Sequence, residues 1–244
     1  MERIFTRPKS LEERRFHFCP GCGHSLSHRL VTEAIDELDI LGSTICVGSV
    51  GCAYNPHDYI ACDSLHALHG RAPAVATAMK LALPHRVVFT YQGDGDLASI
   101  GMAESVHAAA RGANFSVIFI NNAVYGMTGG QMAPTTLLGQ VTTTTRDGRD
   151  AVTAGFPIRV SELFAALDGP AYIERVALNN PANIRKAKRA VRKCFETQLA
   201  GKGFSMVEIL SPCPPGWGCE PSQARGWLTK NMLETFPLGV FRDR

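Results

Sequence analysis

The 244-residue sequence predicts a doubly wound α/β fold built on a mostly parallel sheet. Short β-branched or apolar segments alternate almost from end to end with longer segments of helical periodicity, which is the pattern of βαβ units. The chain is 45% hydrophobic and 19% charged, so it has enough apolar content for a large core and too little charge for disorder. Since no internal repeat or linker divides the sequence, we expect one domain over residues 1–244.

The first elements follow from periodicity and from the residues that end them. Residues 25–38 place their apolar side chains on one stripe at helical spacing, which predicts an amphipathic helix. Residues 44–50 form a short apolar run before Gly51 and predict a buried strand. Residues 71–83 predict a second helix, because the helical pattern stops at Pro84.

A strand, a helix and a further strand are predicted next. Residues 86–92 are β-branched and aromatic, and they predict a strand that runs into a turn rich in glycine and aspartate. Residues 98–111 are rich in small residues and predict a helix closed by Gly112. Residues 116–121 predict the following strand, which completes a βαβ unit.

The alternation resumes after a long irregular segment. Residues 125–149 are rich in glycine and threonine, and a loop of this length inside a compact domain is typically functional. Residues 171–178 predict a strand, residues 184–199 a helix and residues 204–210 a strand. A glycine- and proline-rich stretch over residues 211–221 precedes a short closing helix, so we treat residues 211–244 as a tail of loop and helix.

Charge and hydropathy exclude several classes of protein. The formal net charge is only +3 and no basic tract is present, so no nucleic-acid partner is expected. The longest apolar runs, such as residues 117–120, are far too short to span a bilayer, and residues 1–15 lack the apolar region of a secretory signal. We therefore expect a soluble, cytoplasmic protein whose eight cysteines are reduced.

Polar residues follow two of the predicted strands, as GDGD (residues 93–96) and NNAV (residues 121–124). In open α/β sheets ligands bind beyond the carboxyl ends of the strands, and one helix and one strand separate Asp94 from Asn122. The two turns are therefore expected to be neighbours. Asp94, the amide oxygen of Asn122 and a carbonyl near Val124 are oxygen donors that suit Mg²⁺. Two unrelated polar turns are the alternative.

The spacing of these two turns resembles the diphosphate–Mg²⁺ motif of thiamine-diphosphate enzymes. The resemblance implies that Mg²⁺ is bound by Asp94, Asn122 and the carbonyl of Val124. It also implies that the cofactor lies against Gly95, Asp96, Gly126 and Met127.

The cysteines are sorted by their sequence context. CPGC (residues 19–22) opens the first helix, where two thiolates at this spacing can bind one metal site. A thioredoxin-like redox pair needs a preceding strand, and residues 14–18 form a brief one at best. A Cys₄ zinc site commonly uses two such pairs, whereas this sequence has one.

The other cysteines are dispersed. Cys46 and Cys194 lie in apolar segments and are expected in the core, while Cys62 is ambiguous. Cys52 and Cys213 follow predicted strands and lie in loops at the same edge of the sheet.

A tight cysteine pair combined with dispersed cysteines, and proline after a ligand, is typical of iron–sulfur sites. We therefore predict that residues 1–24 form a cluster-binding segment and that one [4Fe–4S] cluster is held by Cys19, Cys22, Cys52 and Cys213. Cys219 is the reserve for Cys213.

Six motifs together resemble the thiamine-diphosphate-binding β subunit of the 2-oxoacid:ferredoxin oxidoreductases over nearly the whole chain. They are CPGCGH (19–24), VGCA (50–53), HGRAPAVATAMK (69–80), YQGDGDLASIG (91–101), INNAVYGMTGGQMAPTT (120–136) and SPCP (211–214). The resemblance implies the pyrophosphate-domain type of sheet and the same four cluster ligands. It further implies that the cofactor is lined by Val50, Gly51, Cys52, Ala53 and His69, with Arg71 nearby. Three further histidines lack this support and are expected to be structural or peripheral: His24, His28 and His66.

The resemblance implies an activity, the coenzyme A-dependent oxidative decarboxylation of a 2-oxoacid, in which the cofactor is the electron sink and the cluster removes single electrons. The carboxylate that faces the aminopyrimidine ring is expected from a partner α subunit, so no catalytic residue is assigned in this chain. Ferredoxin or ferredoxin-like iron–sulfur subunits are expected to accept the electrons, in a dimer of heteromers. 2-Oxoglutarate or a branched-chain 2-oxoacid is the favoured substrate, and an aryl acid such as phenylglyoxylate stays open.

Two other functions compete with this interpretation. A non-oxidative thiamine-diphosphate decarboxylase or carboligase shares the acidic turn and the asparagine pair, but it has no use for four cluster cysteines. A zinc-stabilised, non-catalytic scaffold accounts for the cysteines but not for the two polar turns. Analysis for iron, zinc and thiamine diphosphate distinguishes the three.

Overall fold

The computed structural model describes residues 6–54 and 56–244, and within them seven strands form one sheet. The strands are β1 (Thr44–Gly48), β2 (Asp63–His66), β3 (Val87–Gly93), β4 (Ser116–Asn121), β5 (Tyr172–Ala177), β6 (Ser205–Leu210) and β7 (Gly239–Asp243). Their order across the sheet is β2-β1-β3-β4-β6-β5-β7. The first six strands pair in parallel, and β7 pairs antiparallel with β5.

Parallel pairing brings the carboxyl ends of β1, β3, β4 and β6 to one edge of the sheet. Gly93, the last residue of β3, is the register partner of Ile120 in β4. Asn121, the last residue of β4, is the partner of Leu210, the last residue of β6. The loops that leave these strands therefore start beside one another, and we call this side of the sheet the strand-end edge.

Helices cover both faces of the sheet. They are α1 (His24–Glu37), α2 (Ala72–Ala82), α3 (Met102–Ala110), α4 (Ala151–Ala154), α5 (Val160–Ala165), α6 (Pro181–Leu199) and α7 (Ala224–Thr235). One core cluster contains Val31 of α1 and Val191 of α6, and a second contains Ala76 of α2 and Ala108 of α3. The architecture is thus doubly wound, as the sequence predicts.

Side chains of the central strands alternate between these two cores. Phe89 and Tyr91 of β3 pack with α1 and α6, whereas Val88 packs on the opposite face. All six residues of β4 are buried. Burial on both faces explains why these strands appear in the sequence as apolar runs rather than as alternating patterns.

The predicted fold class is confirmed, and the predicted strands and helices are present with small shifts of their ends. β1 ends at Gly48 rather than at residue 50. The helix predicted over residues 98–111 is interrupted, because a π-helical turn (Asp96–Ile100) comes first and α3 starts after Gly101. Four elements were not predicted: β2, α4, α5 and β7. The tail therefore ends in an antiparallel strand as well as a helix.

Arg149 organises the long loop over residues 125–149. It is 6% exposed, and its guanidinium donates to the carbonyls of Pro134 at 2.9 Å, Thr136 at 2.6 Å and Phe156 at 2.9 Å. Because these acceptors are main-chain oxygens on both sides of Arg149, a single side chain fixes the path of the loop. In the part of the chain that the structure describes, no helix is long and apolar enough to cross a membrane.

Candidate active site

A cavity of about 280 Å³ opens at the strand-end edge. Its walls come from segments within residues 50–53, 93–100 and 122–128, together with His24 and His69. The three segments follow β1, β3 and β4, so the topology of the sheet creates the cavity. This is the position where open parallel sheets bind ligands.

Asp94 joins the turn after β3 to the turn after β4. The main-chain N–H of Asn122 donates to both carboxylate oxygens, to Oδ1 at 3.1 Å and to Oδ2 at 3.3 Å. Thr135 Oγ1 donates to Oδ2 at 2.7 Å. Asn122 Oδ1 in turn accepts from the N–H of Val124 at 3.3 Å. The three residues predicted to bind Mg²⁺ therefore belong to one hydrogen-bonded unit.

The environment of Asp94 fits a cation. The residue is 3% exposed, and the described residues provide no cationic side chain as its partner. Burial raises the pKa of this carboxyl to about 7, although hydrogen bonds from Thr135 and Asn122 act in the opposite direction. A buried carboxylate needs a cation or a proton to neutralise it. Carboxylate, amide and carbonyl oxygens are the donors that Mg²⁺ prefers.

Asp96 forms a second polar unit in the wall of the cavity. Its Oδ1 accepts from the N–H of Gly70 at 2.8 Å and lies 2.8 Å from Nδ1 of His69. Its Oδ2 accepts from Gln92 Nε2 at 2.6 Å. Because Nδ1 of His69 is engaged by the carboxylate, Nε2 is the ring nitrogen left for a ligand.

Glycines allow the His69 loop to approach the π-helical turn. Gly70 has a φ of +77°, and a Cβ on it would lie 2.6 Å from the nitrogen of Gly101. A Cβ on Gly101 would lie 2.3 Å from the carbonyl oxygen of Asp96. Only glycine permits contacts this close, and π-helical turns occur frequently at functional sites.

The four predicted cluster cysteines lie near one another, and one of them, Cys52, is in the wall of this cavity. Cys52 lines the cavity, as does Gly126. A Cβ on Gly126 would lie 3.1 Å from Cys213 Sγ and 3.9 Å from Cys52 Sγ, so both sulfurs border the same small space. The Cys22 thiol is close enough to Cys19 and Cys52 for their charges to raise its pKa.

Main-chain packing holds the two cysteine-bearing loops together. The N–H of Gly23 donates to the carbonyl of Pro212 at 3.1 Å. The Cys22 sulfur accepts from the N–H of His24, and the Cys213 sulfur accepts from the N–H of Gly216. Hydrogen bonds from N–H groups to cysteine sulfur are among the features that tune iron–sulfur sites.

Burial disfavours the thiolate form of three of these cysteines, Cys22, Cys52 and Cys213. Burial raises the pKa of Cys22 to about 11 and that of Cys213 to about 12, and it also raises the pKa of Cys52. Metal binding displaces the proton of a cysteine ligand, so a bound cluster would supply the positive charge that this apolar site lacks. The residues present therefore fit an iron–sulfur group.

The remaining cysteines lie elsewhere. Cys46 and Cys194 are fully buried in the core. Cys62 packs against the same core, and its sulfur accepts a main-chain hydrogen bond from Cys46. The pKa of Cys219, the reserve ligand, responds to its own burial and to Glu220 rather than to the four thiols.

Within residues 6–54 and 56–244, no three histidine, cysteine, aspartate or glutamate side chains converge as the ligands of a single metal ion do. In a [4Fe–4S] cluster each cysteine binds a different iron atom, so its ligands surround a larger volume. The arrangement of the four thiols therefore differs from that of a preformed mononuclear site.

Comparison with known proteins identifies the domain. Residues 45–209 match the C-terminal TPP-binding domain of thiamine pyrophosphate enzymes, thiamine pyrophosphate being another name for thiamine diphosphate. Ketoisovalerate oxidoreductase subunit VorA of Methanothermobacter marburgensis is 48% identical over 244 residues, which are 100% of this chain and 51% of VorA. 2-Oxoglutarate synthase subunit KorB of Methanocaldococcus jannaschii is 37% identical over 203 residues, which are 82% of this chain and 70% of KorB.

The chain belongs to the thiamine-diphosphate-binding subunits of the 2-oxoacid:ferredoxin oxidoreductase family. This confirms the resemblance seen in the sequence motifs. The chain spans about half the length of the VorA proteins that it matches.

A solved structure of this oxidoreductase family shares the fold. It is 2-oxoglutarate:ferredoxin oxidoreductase from Magnetococcus marinus with 2-oxoglutarate, coenzyme A and succinyl-CoA bound. The match has a TM-score of 0.78 and covers 99% of this chain and 86% of that chain, at 24% sequence identity. At this identity the comparison establishes the architecture, and function has to be argued from the site.

Most of the cofactor-binding residues that the family motifs imply line the cavity: Val50, Gly51, Cys52, Ala53, His69, Gly95, Asp96, Gly126 and Met127. Arg71 is not part of the lining, since its guanidinium is paired with Glu104 and donates to the carbonyl of Ile100 at 3.4 Å. His24, which was expected to be structural or peripheral, also lines the cavity. So do four residues that the sequence did not single out: Ser99, Ile100, Tyr125 and Thr128. Each of these residues lies inside one of the six family motifs, and this position is the feature of the sequence from which they could have been predicted.

Proposed function

We propose that this chain is the β subunit of a 2-oxoacid:acceptor oxidoreductase and that it binds thiamine diphosphate, Mg²⁺ and one [4Fe–4S] cluster. The position of Cys52 carries the proposal. Cys52 lines the same cavity as Asp94, and its sulfur borders the same space as that of Cys213. The loop that carries Cys52 therefore adjoins both the proposed diphosphate site and a group of thiols. A non-oxidative decarboxylase has no use for such a group of thiols.

The strand-end turns would hold the metal and the diphosphate. Asp94, the amide oxygen of Asn122 and the carbonyl of Val124 would bind Mg²⁺. Gly51 and Gly93 have no atom within 4 Å of the position of a Cβ, so their backbone borders open space. A phosphate group can approach such backbone closely, where a side chain would obstruct it.

Once bound, thiamine diphosphate supplies the electron sink for decarboxylation, and the cluster accepts electrons one at a time. The residues of the chain orient the reacting groups and exclude water. Asp96 fixes the ring of His69, whose Nε2 would accept a hydrogen bond from a bound ligand in the neutral ring and would donate to phosphate or substrate oxygen in the protonated ring. The cluster would be held by Cys19, Cys22, Cys52 and Cys213.

The proposal requires a partner subunit. Among the described residues, the carboxylates that line the cavity are Asp94 and Asp96, and both accept hydrogen bonds from the chain itself. We therefore propose that an α subunit supplies the carboxylate for the aminopyrimidine ring. Ile100 and Met127 line the cavity and are 50% and 58% exposed, an apolar rim that such a partner would cover. Two such heteromers would form the complete enzyme.

The substrate is proposed from the relatives. VorA is named for ketoisovalerate and KorB for 2-oxoglutarate. The identity of 48% to VorA favours a branched-chain 2-oxoacid, followed by 2-oxoglutarate, with an aryl 2-oxoacid as a third class. Coenzyme A would take up the acyl group, and ferredoxin or ferredoxin-like subunits would take up the electrons. We place the enzyme in the cytoplasm, where cluster cysteines stay reduced.

Purification of the full chain alone and with its α subunit tests the proposal. We expect iron, thiamine diphosphate and Mg²⁺ in the complex, and dye reduction that depends on both a 2-oxoacid and coenzyme A. A panel of branched-chain, dicarboxylic and aryl 2-oxoacids then ranks the substrates. Zinc in place of iron, or decarboxylation that needs neither an electron acceptor nor coenzyme A, would overturn the proposal.

A further inference from the structure

We propose that the buried ion pair Arg175–Glu208 positions the metal-binding turn of residues 121–124 and does so through the side chain of Asn121. The inference rests on the proposed magnesium site. It assigns a role in that site to two residues that do not line the cavity.

The turn contains a backbone conformation that needs support. Ala123 has a φ of +59°, in the left-handed region that residues with a side chain rarely adopt. Oδ1 of Asn121 accepts from the N–H of Ala123 at 3.1 Å. The conformation at Ala123 sets the direction in which Asn122 and Val124 present their oxygens. The Asn121 side chain therefore stabilises the geometry on which metal binding depends.

Glu208 determines which way the amide of Asn121 faces. Nδ2 of Asn121 donates to Glu208 Oε1 at 2.7 Å. Both residues are completely buried, so water cannot replace this bond. A carboxylate only accepts hydrogen bonds, so the NH₂ group of Asn121 has to face Glu208 and Oδ1 has to face Ala123.

Glu208 is held in turn by the neighbouring strand. Arg175 of β5 is its register partner, and Nε of Arg175 donates to Glu208 Oε2 at 2.8 Å. Ser161 at the start of α5 donates to the same oxygen. On its other side Arg175 donates to Glu162 of α5 at 3.0 Å.

The C-terminal segment completes the support. Arg175 donates to the carbonyl of Pro237 at 3.1 Å. Its guanidinium lies 5.3 Å from the ring centroid of Phe236 and 4.9 Å from that of Phe241, within cation–π distance. A continuous series of contacts thus connects α5 and the last strand to the metal-binding turn.

A buried ion pair can also serve stability alone, and the test has to separate the two roles. Removal of one partner leaves an uncompensated charge, whereas replacement of both by apolar residues of similar size is often neutral for stability. The double variant Arg175→Met/Glu208→Leu therefore removes the acceptor for Asn121 without leaving one charge of the pair buried, although the unpaired donors of Asn121 and Ser161 lower its stability. Arg175→Lys keeps a cation beside Glu208 and leaves both carboxylate oxygens as acceptors, so it is the conservative variant.

The experiment titrates Mg²⁺ into the full chain, in the assembly in which it is purified, at saturating thiamine diphosphate. Binding is followed by calorimetry and by tryptophan fluorescence, since Trp217 Nε1 donates to the carbonyl of Asn122 at 2.8 Å. We expect the Kd for Mg²⁺ to rise about tenfold or more in the double variant and to stay near wild type in Arg175→Lys. Gln198→Met is the control, because it removes buried hydrogen bonds to Val88 without touching the turn.

Wild-type affinity in the folded double variant would overturn the inference, and so would an equal loss of affinity in Gln198→Met. If the double variant does not fold, the variant Asn121→Ala is used instead, since it leaves the ion pair intact. A raised Kd for Mg²⁺ in Asn121→Ala supports the inference, and an unchanged Kd overturns it. Failure of the wild-type chain to show Mg²⁺-dependent binding of thiamine diphosphate would overturn the proposed function itself, and the inference with it.

Discussion

Asp94 and Asn122 lie 28 residues apart in the chain, yet the N–H of Asn122 donates to both oxygens of the Asp94 carboxylate. This contact joins the ends of two adjacent parallel strands. The same carboxylate lines the cavity. One buried acid therefore both connects the two turns and offers a negative charge to a cation, which is the arrangement from which the proposed function starts.

The charge of Asp94 is the first property to test. Asp94→Asn keeps the size of the side chain and removes the charge that would neutralise a divalent cation. We expect Mg²⁺-dependent binding of thiamine diphosphate, measured by calorimetry, to weaken by about a hundredfold or more, with the iron content unchanged. Cofactor affinity equal to that of wild type would show that Asp94 is not a metal ligand.

Cys52 tests the cluster. Cys52→Ser replaces a thiolate ligand by a hydroxyl group, and we expect loss of iron and of the visible absorbance of the cluster. Cys219→Ser is the matched control, because Cys219 is a free, partly buried cysteine whose thiol has its pKa raised by burial and by Glu220 rather than by the four predicted ligands. Unaltered iron stoichiometry in Cys52→Ser, or loss of iron in Cys219→Ser, would require a different ligand set.

A substitution at Gly126 tests whether a cluster occupies the space between the sulfurs of Cys52 and Cys213. In Gly126→Ala the new methyl group would lie 3.1 Å from Cys213 Sγ and 3.9 Å from Cys52 Sγ, in the volume that a cluster would occupy. We expect most of the iron to be lost. Gly226→Ala in α7 is the control, since a Cβ there meets no atom within 4 Å. It should keep its iron and gain about 0.5–1 kcal/mol of stability. Full iron content in Gly126→Ala would place the cluster elsewhere.

His28 gives a prediction for the pH dependence of stability. It is 1% exposed, and its pKa is lowered from the usual 6.5 to about 4 by burial and by the nearby His17, against a hydrogen bond to the His24 carbonyl that raises it. The unfolded chain takes up a proton below about pH 6.5 that the folded chain takes up only near pH 4. Stability is therefore lost as the pH falls through this window, by about 2 kcal/mol between pH 7 and pH 5.

The His28→Phe variant should lack this part of the acid sensitivity. The replacement also removes Nε2, which has no hydrogen-bond partner within the described residues. Urea unfolding of the metal-free chain at pH 7 and pH 5 measures the difference. The same loss of stability at pH 5 in variant and wild type would contradict the assignment of the effect to His28.

The parallel core of the fold could be predicted from the sequence, because strands buried on both faces leave continuous apolar runs. Strand β2 could not be predicted, since all four of its residues are exposed at the edge of the sheet and show no alternation of apolar and polar residues. β7 is also short and partly exposed, and it is fixed by pairing with β5 rather than by its own pattern. Edge strands of this kind depend on tertiary contacts, which a local pattern does not contain.

The site was predictable to the extent that its residues belong to motifs at strand ends. The ion pair that supports the metal-binding turn was not recognised, although the sequence carries a signal: Glu208 is the one charged residue of β6, and Arg175 follows Glu174 inside β5. They are register partners, and both are completely buried. Opposite charges at the centres of two predicted strands indicate that the strands are neighbours, and the pairing becomes evident only once the strand order is known.

The most direct test of the account is an anomalous diffraction measurement at the iron absorption edge, on crystals of the assembly grown with Mg²⁺ and thiamine diphosphate. We expect an iron peak bounded by the sulfurs of Cys19, Cys22, Cys52 and Cys213, next to cofactor density that contacts Asp94 and Asn122. An iron peak at other residues, or no iron peak beside a cofactor-filled cavity, would contradict it.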